Sequence, residues 1–346
     1  MSARRAIVST LTALAAVAIT RRVVGSADAR TSRPVTALPE TGRTGFTGEP
    51  SRLTRGMLAC LGPVRAVADL LGLDMATQLT PLMAATNPPW PSTKGLQVQR
   101  EQLHGMPVVT IRPQTCTGKV VVAMHGGAYV VQPTVLHWLD YTAMARDTGA
   151  IVVVPLYPLA GTPQGCATKI MPALTDLVTA QIAEHGGANV SVYGDSAGGG
   201  LALAVAQELV RRNTTGPSHL VLISPWLDVT MTNPAIPAID DPVLSVTAMR
   251  ASGKLWAADL PTTDPLVSPL HGPLTGLPPT AVYAGSLDIL SADALLLREK
   301  ALAQGADFTF VLRAGLVHDW ALGGLPFPSE GPAVRPDIYR QLGLVN

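Results

Sequence analysis

Eight short apolar runs punctuate the chain: Leu96 to Leu103, Val108 to Arg112, Lys119 to Met124, Ala150 to Pro155, Val190 to Tyr193, Leu220 to Ser224, Ala281 to Ala284 and Phe308 to Leu312. Each has the length and β-branched content of a strand. The first two lie close together and alternate apolar with polar positions, as a hairpin does. The later ones are nearly continuous in apolar residues, which is expected of strands covered on both faces. Between the later runs, Trp138 to Arg146, Ala173 to Glu184, Ala197 to Arg212 and Ala292 to Gln304 carry helical patterns. Strand and helix in alternation predict an α/β fold: a mostly parallel eight-stranded sheet flanked by helices and joined by right-handed crossovers.

The flanking segments differ in pattern. From Leu53 to Met83 apolar residues recur at helical spacing, interrupted by Gly62-Pro63 and by Pro81, so two short helices are expected, and Asn87-Pro88-Pro89-Trp90-Pro91 ends them. Residues 51 to 92 then form a helical cap ahead of a catalytic domain over residues 93 to 340. A stretch near residues 240 to 279, dense in Pro, Asp and Thr with one helical pattern from Thr247 to Ala258, reads as an insertion that could complete a lid. Residues 30 to 50 read as a linker. Over residues 1 to 29, Arg4 and Arg5 precede an apolar run from Ala6 to Ile19, and Ala27-Asp28-Ala29 has the form a signal peptidase cuts. Ile7, Leu11, Leu14 and Ala18 also fit one face of an amphipathic helix, so this segment is expected to export the chain or attach it to the membrane or cell envelope, with a cytoplasmic chain as the alternative.

With 346 residues, 47% of them hydrophobic, the chain can bury a large core, which excludes a disordered or fibrous protein. A net charge of +1 with no basic block argues against nucleic acid as a partner. Cys60, Cys116 and Cys166 show no metal-ligand spacing; they are expected to be small buried hydrophobes, with one disulfide as the alternative. Nothing in the sequence fixes the oligomeric state.

The chemistry concentrates at strand ends. Gly194-Asp195-Ser196-Ala197-Gly198 lies where the fifth run stops and a helix begins, the setting in which a serine between glycines becomes an exposed, strained nucleophile. Gly194 and Gly198 leave room for the two backbones to approach. The alternative, a phosphate-binding turn, lacks both a following lysine and a GxGxxG pattern. The third run leads into His125-Gly126-Gly127-Ala128-Tyr129, where the N–H groups of Gly127 and Ala128, with Gly126, can face a developing oxyanion from one side and that of Ala197 from the other. His125 suits a hydrogen bond that holds this loop rather than the role of base. Downstream, the seventh run ends at Asp288 and the eighth at His318, which completes the order serine, acid, histidine. His318 is the expected base and Asp288 its orienter; Asp293 and Asp319 are the competing acids. No metal or cofactor is called for.

Taken together, His125-Gly126-Gly127-Ala128-Tyr129, Gly194-Asp195-Ser196-Ala197-Gly198-Gly199, Gly285-x-x-Asp288-x-Leu290 and His318-x-Trp320 resemble the motifs of the hormone-sensitive-lipase-like branch of the α/β-hydrolase esterases, over roughly residues 95 to 325. The resemblance implies an α/β-hydrolase fold with an N-terminal cap and hydrolysis of short to medium acyl esters, small or lipid. Two departures stand out: Ala128 replaces a third glycine, and Tyr157-Pro158-Leu159-Ala160-Gly161-Thr162 is a degenerate form of a segment that carries an arginine in the family. An amidase, thioesterase or peptidase with the same triad, and a non-catalytic binding module on the same fold, are the rival readings.

Overall fold

The computed structural model describes residues 45–70, 80–322 and 329–345. The expected export or anchor segment, and all but the end of the expected linker, lie outside the described residues. The eight expected strands all form: β1 (Leu96–Leu103), β2 (Met106–Pro113), β3 (Val120–Met124), β4 (Ile151–Pro155), β5 (Val190–Asp195), β6 (His219–Ile223), β7 (Thr280–Leu287) and β8 (Phe308–Val317). Their order across the sheet is β1-β2-β4-β3-β5-β6-β7-β8. β1 and β2 are an antiparallel hairpin, β2 pairs antiparallel with β4, and every pair from β4 to β8 is parallel. Burial follows the sequence pattern. β1 is exposed along nearly all its length, whereas β3, β4 and β5 are buried throughout.

Helices α2 (Val135–Thr148), α3 (Ala167–His185), α4 (Ser196–Arg211), α5 (Val246–Ala257), α6 (Ser291–Gln304) and α7 (Glu330–Gln341) follow α1 (Arg52–Leu70). Two corrections arise here, both from proline. The break expected at Gly62-Pro63 is absent, because α1 runs through Pro63 as one helix. A single proline removes one intrahelical donor, a loss that a helix of this length absorbs. Pro81 lies instead in a 3-10 turn, Thr80–Met83. The sequence also gives no warning of α7, which contains Pro336 and yet docks on the sheet and on α2: Ser191 Oγ of β5 donates to the Leu342 carbonyl just past α7 at 2.7 Å, and Tyr339 Oη donates to Asp147 of α2 at 3.1 Å. The cysteines are a third correction. All three are free, Cys60 and Cys116 exposed and Cys166 half-buried, since they sit on separate peripheral elements rather than in the core. At the far sheet edge Thr47, in the end of the expected linker, exchanges backbone hydrogen bonds of 3.0 Å with Leu312 and Ala314 and so covers β8.

The strand order has one functional consequence. The chain steps from β3 outward to β4, then crosses back to place β5 on the other side of β3. Such a reversal opens a crevice at the carboxyl ends of the two strands, where the connecting segments diverge. The loop after β3 and the turn after β5 both empty into it.

Candidate active site

Ser196 is the first residue of α4, buried, with a backbone φ of 51°. A non-glycine residue in the left-handed region is strained, and the strain is held here by close backbone packing. A β-carbon on Gly194 would collide with the Gly198 carbonyl, and one on Gly198 with the carbonyl of Met124 at the end of β3. The Ser196 carbonyl accepts the Trp226 N–H at 2.8 Å, which ties the turn to the segment after β6. Among the described residues, no hydrogen bond engages the Ser196 hydroxyl.

Asp288 and His318 meet at the ends of β7 and β8. His318 Nδ1 lies 3.0 Å from Asp288 Oδ2, and Asp288 Oδ1 accepts the Leu290 N–H at 2.9 Å. The acid is fully buried and the imidazole nearly so. The competing carboxylates separate cleanly. Asp293 accepts from Asn233 Nδ2 at 2.8 Å and belongs to another cluster. Asp319 does reach the imidazole, at its other nitrogen, with Oδ2 3.3 Å from Nε2. Burial opposes a charge on His318, but Asp319, Asp288 and the bond to Asp288 outweigh it and push its pKa up to about 10.

The loop after β3 carries the expected donors and one correction. The Gly126 N–H points to Asp195 Oδ2 at 3.0 Å, so it is engaged inside the protein and not aimed at a bound oxyanion. A β-carbon at Gly126 would collide with the same carboxylate. Gly127 has a φ of 110° and Ala128 one of 51°, a reversal that leaves both N–H groups without an acceptor among the described residues. The N–H of Ala197 lies in the first turn of α4, where helix donors are unpaired and the dipole is positive.

His125 is buried beneath this loop. Its Nδ1 donates to the Gly126 carbonyl at 2.7 Å, its ring stacks on Tyr157 at 4.2 Å and its carbonyl accepts Tyr157 Oη at 2.6 Å. Desolvation holds its pKa down to about 3, so the ring is neutral. Tyr157, which opens the degenerate segment, therefore buttresses the loop without the family's arginine. Tyr129 is locked from the other side, stacked on Trp256 at 4.4 Å and on Trp226 at 5.3 Å.

Sequence reasoning missed His137. It lies in the first turn of α2, where its Nδ1 accepts the Thr134 N–H at 2.9 Å and its Nε2 faces Asp195 Oδ2 at 2.9 Å. One carboxylate oxygen thus takes donors from the loop after β3 and from α2, which joins both to the residue before Ser196. The Thr-x-x-His spacing, in which a third-position side chain can cap its own helix, was the available signal. Among the described residues no cluster of His, Cys, Asp and Glu could hold a metal ion, and no helix is long and apolar enough to cross a membrane.

A family model described as the alpha/beta hydrolase fold matches residues 121–322. A triacylglycerol lipase of Mycobacterium tuberculosis is 42% identical over 316 residues, which cover 86% of this chain and 67% of the relative. An esterase of Acinetobacter venetianus is 31% identical over 249 residues, 71% of this chain and 82% of its own. Among solved structures, an esterase from the bacterial hormone-sensitive lipase family superimposes with a TM-score of 0.63 at 27% identity, covering 72% of this chain and 85% of that one.

Proposed function

The chain belongs to the hormone-sensitive-lipase-like family of α/β-hydrolase esterases and lipases, and from that premise we propose that it cleaves carboxylic esters by two acyl transfers through Ser196, His318 and Asp288. The observation that carries this reading is the buried Asp288–His318 pair, 3.0 Å apart, in a chain whose Ser196 is held in a left-handed turn at the end of β5. In the first transfer Ser196 Oγ attacks the ester carbonyl while its proton passes to His318 Nε2. The oxygen that becomes negative is stabilised by the N–H groups of Gly127, Ala128 and Ala197, each of which contributes about 2.7 to 4 kcal/mol in comparable sites. The tetrahedral species collapses, His318 returns the proton to the leaving alkoxide, and an alcohol departs from the acyl-serine. In the second transfer His318 takes a proton from water, the hydroxide attacks the acyl carbon, and Ser196 recovers its proton as the acid leaves. Asp288 orients the imidazole through Nδ1 and stabilises the imidazolium that forms. No step requires a metal or cofactor.

The substrate in this reading is a small or lipid ester with a short to medium acyl chain. The names of the relatives, a triacylglycerol lipase and an esterase, support that class. Ala128 keeps the N–H of the residue it replaces, and its methyl group is buried, at a position 5% exposed. A fluorophosphonate probe tests the nucleophile. It is expected to label wild type at Ser196 and to leave Ser196→Ala unlabelled; equal labelling of both would refute the assignment.

A further inference from the structure

The proposed base faces two carboxylates, and the mechanism above uses one. Asp288 holds Nδ1 of His318, while Asp319 Oδ2 stands 3.3 Å from Nε2, the nitrogen that must receive the serine proton. Asp319 is fixed in that place by its backbone. Its φ is 55°, and its N–H donates to Ser224 Oγ at 3.0 Å; Ser224 in turn has a φ of 41° and donates its own N–H to the Tyr283 carbonyl at 2.7 Å. Two hydrogen-bonded left-handed residues, after the ends of β6 and β8, thus aim one carboxylate at the working edge of the imidazole. Asp319 Oδ1 is buried with no hydrogen-bond partner, which is costly for a carboxylate that only fills space.

We propose that Asp319 holds His318 as an imidazolium in the resting site, so that hydrolysis is suppressed at neutral and acid pH and rises as the pair loses its proton. This rests on the reading of His318 as the base. An imidazolium has no lone pair for the serine proton, so only the deprotonated fraction can start a cycle. The groups around the pair reinforce the effect. Asp288 and Asp241 face His318 from the loop after β7 and from the segment before α5, and both favour its charged form. Burial raises the Asp319 carboxyl itself, opposed by His318; Asp195 and Asp288 raise it further, and His137 on α2 lowers it. The site as a whole therefore keeps its protons to higher pH than isolated groups would. Replacement by Asn removes the charge and retains a residue that tolerates the left-handed region.

The test uses the full chain as wild type, Asp319→Asn and Ser224→Ala, with two readouts. The first is kcat/KM for p-nitrophenyl butyrate from about pH 6 to about pH 10, with spontaneous hydrolysis subtracted. The expected result for Asp319→Asn is an acid limb displaced downward by at least about one pH unit, hence roughly tenfold higher kcat/KM at about pH 6, and an alkaline plateau equal to or below wild type. Ser224→Ala, which loosens the anchor, should shift the limb the same way by less. The second readout, independent of turnover, is the NMR titration of the His318 imidazole, expected to move to lower pH in Asp319→Asn. A folded Asp319→Asn whose profile superimposes on wild type or is scaled equally at every pH, or whose His318 titration is unmoved, overturns the inference. Hydrolysis that survives in His318→Ala would instead overturn the assignment of the base.

Discussion

Three histidines lie within one site, and their surroundings give each a different state. His318 is flanked by carboxylates, His137 accepts a backbone N–H on one nitrogen and faces Asp195 with the other, and His125 is sealed against Tyr157 with a carbonyl as its acceptor. His125 yields a stability prediction whose sign follows from its pKa, about 3 in the folded chain against 6.5 as the ordinary value. Below pH 6.5 the unfolded chain binds a proton there that the folded chain refuses, so the stabilisation is present above that pH and is lost as pH falls toward 3. His125→Phe keeps a ring against Tyr157 and removes the titration. In urea unfolding, wild type should lose stability between about pH 6 and about pH 4 with a slope steeper than the variant by up to about 1.4 kcal/mol per pH unit. Parallel slopes would contradict the neutral, buried state of this ring.

At the scale of elements, α4 begins with Ser196 and continues Ala197-Gly198-Gly199-Gly200, a composition poor in helix formers. Propensity alone predicts that Gly200→Ala stabilises the helix by about 1 kcal/mol. The structure predicts the opposite sign, since a β-carbon there would collide with the Trp226 carbonyl and come within 3.1 Å of Tyr129 Oη. A melting temperature below wild type is the expected result; an increase would show that α4 has room to move away from the segment after β6. The glycines thus bring the helix close enough for Trp226 to hold the Ser196 carbonyl, and for the Tyr129–Trp226–Trp256 stack to fix the loop that carries Gly127 and Ala128.

Over the whole molecule, what was legible in the sequence is what repeats in a simple period or sits at a strand end. Buried parallel strands read as apolar runs because both faces are covered, and Ser196, Asp288 and His318 follow from chain order because a parallel sheet delivers its carboxyl ends to one edge. Contacts between segments distant in sequence were not legible. Nothing in the local pattern around Gly126 shows that its N–H is taken by Asp195, or that His137, eleven residues further on, shares the same oxygen. Asp319 could be named as a candidate acid, but its choice of Nε2 over Nδ1 depends on the left-handed turn anchored on Ser224. Proline misled at Pro63, because helix length outweighs the loss of a single donor.

The central claim is that this α/β-hydrolase is an ester hydrolase working through Ser196, and turnover of p-nitrophenyl butyrate by wild type and Ser196→Ala tests it most directly. Removing the nucleophile from a triad costs a factor on the order of 10⁶ in kcat, so the variant should be indistinguishable from the uncatalysed rate while its circular dichroism and melting temperature stay close to wild type. A folded Ser196→Ala that turns over the ester as fast as wild type would contradict the account.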